Sequence, residues 1–229
     1  MKKTVLALVS ALTILATSLQ AQDMPLNFGI KVGLVNSGIT NLGEVKKATL
    51  KDSKNSMFRP WVGTGLFAEY AFHDYVSAGL DVLYAGTGGK LTKEGDSNTA
   101  YSIDIHQLST IPVLKVYPMG CEEDEGILSI HVGPEFTFPL TASAKEKEQD
   151  SKDIKEHLNS FRVGLFGGLG YEFPFGLLLE LRGSYGLSDV FKKDSKLKTE
   201  ELEIAADKST NSWYTNLSLG YNFAKLIIE

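Results

Sequence analysis

From Asn27 onward the chain alternates apolar and polar positions with a period of two, the spacing of a strand with one apolar face. Eight such segments follow one another. The first places Phe28, Ile30, Val32 and Leu34 on one face, the second Val62, Thr64, Leu66, Ala68 and Tyr70, and the third Val76, Ala78, Leu80, Val82 and Tyr84. The fourth carries Leu108, Thr110, Pro112, Leu114 and Val116, and the fifth Leu128, Ile130, Val132, Pro134, Phe136 and Phe138. Phe161, Val163, Leu165, Gly167, Leu169 and Tyr171 form the sixth; Leu177, Leu179, Leu181, Gly183, Tyr185 and Leu187 form the seventh. The eighth has Trp213, Thr215, Leu217, Leu219, Tyr221 and Phe223, and no position in the whole set is charged.

The connections alternate as well. A long stretch separates Leu34 from Val62, and only Phe72–His73–Asp74 stands between the second and third segments. A long gap precedes Leu108, a shorter one runs from Pro118 to Gly126, and the next long one contains Lys145–Glu146–Lys147–Glu148. A tight turn at Phe173–Pro174–Phe175 and a last long gap complete the series. Short turns at one end and long loops at the other are the hairpin pattern of an outer-membrane barrel. A soluble sandwich or barrel with the same strands would hide the apolar face instead of showing it to lipid.

The other face decides between these. It reads Gly29, Lys31, Gly33 in the first segment, Gly63, Gly65, Phe67, Glu69 in the second, and Ser77, Gly79, Asp81 in the third. Later come Ser129, His131, Gly133, Glu135, then Arg162, Gly164, Gly168, Gly170, Glu172, then Glu180, Arg182, Ser184, Gly186. Small residues with a few charges of both signs suit the narrow interior of eight strands, which side chains fill. The predicted fold is therefore all-β: an eight-stranded antiparallel up-and-down transmembrane β-barrel. Aromatics end the apolar faces (Tyr70, Tyr84, Phe136, Phe138, Tyr171, Tyr185, Trp213, Tyr221, Phe223), as interfacial girdles do.

The N-terminus adds a direction of travel. Lys2 and Lys3 precede an apolar run from Val5 to Leu19, and Ala21 offers a cleavage point, so residues 1–21 read as a secretory signal peptide and 22–229 as the barrel domain. Cleavage there takes the net charge from −5 to −7. That balance argues against nucleic acid as a partner. No later run reaches the roughly 20 apolar residues of a membrane helix. One cysteine excludes an internal disulfide framework and a multi-thiolate zinc site.

Candidate chemistry is sparse. Of the four histidines, His73 falls in a tight turn and His157 in a long loop, while His106 and His131 sit on neighbouring strands, placed to approach each other inside. Ser129, His131 and Glu135 share a face of one strand, but that spacing spreads them over about 20 Å, too far for a catalytic triad. The acidic run Glu122–Glu123–Asp124–Glu125 reads as a solvated turn and Cys121 as its bystander. No cofactor or metal site is expected. The interior charges carry more weight: Glu69, Asp81, Glu135, Glu172 and Glu180 face Lys31, Lys115, Arg162 and Arg182. Unpaired buried charge is costly, so these should pair, Glu180 with Arg162 or Arg182. A lumen filled in this way is a plug, which counts against a general diffusion pore.

Several runs, in order along the chain, resemble the porin-family outer-membrane β-barrel domain. They are Asn27–Leu34, Leu108–Lys115, Val132–Phe136, Gly168–Glu172 and Leu178–Tyr185. The resemblance implies a small barrel in the outer membrane of a Gram-negative bacterium, in contact with lipid and inserted by the barrel-assembly machinery. It implies no activity. Such barrels usually end at an aromatic of the last strand, whereas here Phe223 is followed by Ala224 to Glu229, so the last strand is longer or its signal internal. The expected role is an anchor whose four long loops meet an extracellular protein or surface ligand; a small-solute or ion pore is the alternative, and no enzyme is expected.

Overall fold

A computed structural model describes residues 26–40, 50–51, 61–93, 99–120, 126–146, 151–192, 196–198, 203–205 and 210–226. The signal peptide, Cys121 and the acidic turn at 122–125 lie outside them. Eight long strands form the wall: β1 (Leu26–Ile39), β2 (Trp61–His73), β3 (Val76–Lys93), β4 (Thr99–Val116), β5 (Ile127–Glu146), β6 (Arg162–Glu172), β7 (Leu177–Gly186) and β8 (Ser212–Asn222). Each pairs antiparallel with the next, and β8 returns to β1, from Gly29 opposite Asn222 to Ile39 opposite Ser212. Closure leaves no free edge in the wall, the condition for β-structure to span hydrocarbon. The eight segments and the up-and-down order are those the alternation predicts.

The apolar positions point outward. Leu169, Leu181, Leu217, Leu34 and Val62 form one row across five strands, each between 51 and 59% exposed. Rings bound this belt. Toward the short turns, Tyr171 meets Phe173 edge-on at 4.9 Å and Tyr221 lies 5.7 Å from Phe223. Toward the long loops, Phe136 stacks on Phe161 at 6.1 Å and Tyr84 stacks on His106. The short turns are tight. Gly176 has a φ of 86°, which lets the chain reverse after Phe173–Pro174–Phe175 and receive a hydrogen bond from Asn222 N at its carbonyl.

One of the expected long loops is largely wall, and a second is so in part. β3 and β4 run on past Tyr84 and Leu108, and β5 past Phe138. The sequence hides this because the alternation changes phase. Below His106 the outward positions of β4 are apolar; above it the outward ones are Asp104 and Ser102, and the buried ones are Ile103 and Ile105. A strand leaving lipid for water must turn its apolar side inward. A bulge at Leu140, where Gln107 faces Pro139 and His106 faces Thr141, keeps Ala142 buried above it. Short strands at Leu50–Lys51 and Lys152–Asp153 flank this raised sheet.

The β4–β5 joint has a further irregularity. Pairing stops after Thr110–Phe136 and resumes at Leu114–Val132 in the same register, so Pro112 and Pro134 fall opposite each other. Neither has an N–H to give the ladder. After Phe223 the chain makes a 3-10 turn, Phe223–Leu226, anchored by Ala224 N on Asn222 Oδ1; the last strand is not extended.

Candidate functional site

The inward face of the strands fills the lumen in layers. Nearest the short turns, Lys115 pairs with Glu69, which also accepts from Ser77 Oγ at 2.6 Å and from Tyr117. Tyr117 lies just past β4; burial, with Glu69 beside it, pushes its phenol well above the usual range, so it stays neutral and donates. Asn222 Nδ2 bridges Asn27 Oδ1 and Glu172 Oε1, both at 2.9 Å, clasping β8 to β1 and β6.

The next layer holds two cations and two carboxylates. Lys31 Nζ lies 3.0 Å from Asp81 Oδ2 and 3.0 Å from Glu180, and Arg182 contacts Asp81 at 2.5 Å and Glu180 at 2.8 Å. Phe67 lies under the Lys31 ammonium at 4.6 Å, and Phe166 under the Arg182 guanidinium at 5.3 Å. All four charged side chains are buried. Glu180 therefore meets Lys31 and Arg182 but not Arg162; the pairing across the lumen to β1 is invisible to strand order alone.

Above the charges is a layer that sequence reasoning missed. Val35, Leu83, Ala85, Ile111, Val113, Phe166 and Tyr214 form an apolar cluster inside the barrel, with Trp61 packed against it. The signal was present in Ile111–Pro112–Val113–Leu114, apolar on both faces. A cavity of about 10 Å³ between this layer and the charges, lined by Lys31, Asp81, Arg182 and Asn216 among others, is the size of a single water.

The outer layer is polar. Glu135 accepts from Tyr214 at 2.9 Å, Thr137 at 3.3 Å and Ser184. Gln107 Oε1 accepts from Thr87 at 3.1 Å and from Arg162 Nη2. Over it, Ile154, Leu158, Val190 and Phe191 are fully buried at the long-loop end. Side-chain hydrogen bonds tie these loops together, Asn159 Nδ2 to the carbonyls of Asp189 and Phe191 and Thr210 N to Asp189 Oδ1, and a backbone bond runs from Ile154 N to the Ala142 carbonyl.

The two strand histidines do not meet. His106 faces outward, hydrogen-bonded at Nδ1 to Tyr84 Oη at 3.0 Å, while His131 is buried in the lumen opposite Lys115. Ser129, His131 and Glu135 do not form a triad, but Ser129 Oγ lies 2.6 Å from His131 Nε2, and the acid near its Nδ1, at 3.7 Å, is Glu180 of β7. All three side chains are buried, and Ser129 also donates to the Gly170 carbonyl at 3.2 Å.

Comparison with known proteins points the same way as the wall. Residues 20–192 match the family described as outer membrane protein β-barrel domain. No curated protein matches the sequence. Among solved structures, the chain is similar to Ail, the attachment invasion locus protein of Yersinia pestis, in complex with the heparin analogue sucrose octasulfate. The identity is 14%, with 86% of this chain and 99% of that one covered and a TM-score of 0.44. It is similar also to the outer membrane protein OprG from Pseudomonas aeruginosa (16%; 86% and 95% covered; TM-score 0.43). A third is the outer membrane enzyme PagL (13%; 83% and 98% covered; TM-score 0.39).

Proposed function

The chain belongs to the outer membrane protein β-barrel domain family, and from that premise we propose that its barrel is a closed anchor that holds structured loops outside the cell. As a member of the family it is an integral β-barrel of the Gram-negative outer membrane. The observation that carries the anchor reading is the stack of side chains across the lumen: an ion-pair layer, an apolar layer and a polar layer, under loops with their own buried residues. A diffusion pathway needs a continuous wet bore, and this stack opposes one.

On this reading residues 1–21 are removed on export, the apolar belt contacts lipid, and the barrel-assembly machinery inserts the chain. The raised sheet and the loops tied by Asn159 and Asp189 supply a preorganised surface for an extracellular protein or surface ligand, not for nucleic acid. Against catalysis, the Ser129 hydroxyl is spent inside the packed lumen, out of reach of an external ester or amide. The lumen residues Lys31, Glu69, Asp81, Lys115, Glu135, Arg162, Glu180 and Arg182 then have a structural role.

Planar-bilayer recording on refolded protein tests the proposal. The expected trace is a flat baseline at low voltage. A steady conductance that scales with salt would replace the anchor with the small-solute or ion pore.

A further inference from the structure

Among the described residues four lysine and arginine side chains enter the lumen, and three of them meet carboxylates: Lys31 meets Asp81 and Glu180, Lys115 meets Glu69, and Arg182 meets Asp81 and Glu180. Arg162 is different. It is 4% exposed, and among the described residues it has no carboxylate within ion-pair distance. Its Nη2 donates to Gln107 Oε1, while Nε and Nη1 are buried without a partner. An arginine cannot shed its charge in a protein, and a buried cation without a counter-charge is heavily penalised.

The nearest candidate is turned to other donors. Glu135 lies one inward position from Thr137, which faces Arg162 across the β5–β6 joint. Its Oε1 accepts from Tyr214 of β8 and from Thr137, and its Oε2 from Ser184 of β7. Gln107 is likewise committed, its oxygen shared between Arg162 and Thr87. The site thus has a charge and two donor atoms that no acceptor among the described residues fills.

We infer that Arg162 is the centre of a small-anion site at the outer level of the lumen, taking a monovalent ion of the size of chloride or formate. Glu135 acts on the Arg162 charge without pairing with it, and the ligand supplies the direct contact. The role does not require the lumen to conduct; the ion is a resident that neutralises the layer.

The test uses the full chain refolded in detergent, with the arginine Nε–H signal followed by proton–nitrogen NMR. The Arg162 signal is assigned by its loss in Arg162→Lys. At constant ionic strength, chloride replaces a bulky organic sulfonate, and formate does so in a parallel titration. A saturable shift of the Arg162 signal with either small ion, while the Arg182 signal stays still, is the expected result. The two titrations distinguish halide from carboxylate. Crystals soaked in bromide give a second reading independent of any variant, an anomalous peak against the guanidinium. No saturable shift, the same shift in sulfonate, or a crystal with only water or a rotated Glu135 on Arg162 would overturn the site.

Discussion

Replacing Glu180 with glutamine removes one of two carboxylates that together hold two cations. In the native layer Glu180 and Asp81 balance Lys31 and Arg182, with Glu180 only 1% exposed. After the change, Asp81 alone faces both bases and one positive charge is left over. Breaking a buried pair by removing one partner costs about 3–5 kcal/mol. Asp81 already contacts both cations and keeps part of the attraction, which places the expected loss at the lower end, about 3 kcal/mol. Lys31→Gln on the same background removes the surplus charge and leaves Asp81 paired with Arg182. The double variant should therefore lose less than the two single losses together, with a coupling of about 2 kcal/mol, within the range for members of one network. Arg162→Gln is the control: it contacts Gln107 and not Glu180, so its effect should simply add. The assay is equilibrium unfolding in urea of protein refolded into lipid vesicles, read from the emission of the two tryptophans, Trp61 and Trp213. A Glu180→Gln variant within about 0.5 kcal/mol of the parent, as for an ordinary surface change, would refute the reasoning. So would strict additivity with Lys31→Gln.

Leu181 sits in the middle of the outward row, 56% exposed, so Leu181→Arg should cost roughly 2–4 kcal/mol in a bilayer, measured by the same unfolding assay; no loss would place that face in water. Closure of the wall predicts heat-modifiable migration: unheated protein in dodecyl sulfate should run apart from boiled protein, and identical bands would argue against a closed barrel. Gly120 lies at the short-turn end and Cys121 is next in sequence, so an impermeant thiol reagent should label Cys121 only after the outer membrane is opened; labelling on intact cells would invert the topology.

The strands were legible because lipid enforces one simple rule on their outward face, and Leu34, Leu181 and Leu217 obey it. The rule lapses where the bilayer ends. Ile103 and Ile105 look out of phase with Leu108 and Leu114 until the change of solvent is recognised, and so three strands were read too short. The lumen was legible in composition but not in contact. Glu180 reaches Lys31 from β7 to β1 and is also the acid near His131 of β5; no local spacing encodes contacts between strands that are not neighbours. Phe166 and Val35 were missed because each is a single apolar residue on an otherwise small or polar face. They form a cluster only when the cylinder is closed.

The paired prolines at Pro112 and Pro134 make one joint of the wall unlike the others. A closed sheet is a hoop, and tension around it is carried by the rungs between adjacent strands. The joints from β5 through β8 to β1 and on to β4 keep an unbroken ladder across the belt, whereas the β4–β5 joint lacks rungs in mid-span and carries the Leu140 bulge above. When the bilayer thins, swells or is heated, the hoop yields first along that line. Solvent isotope should enter the wall there before anywhere else, and a cylinder that splits would split between two of the three strands that run on past the belt, turning a load on the loops into a parting of that seam.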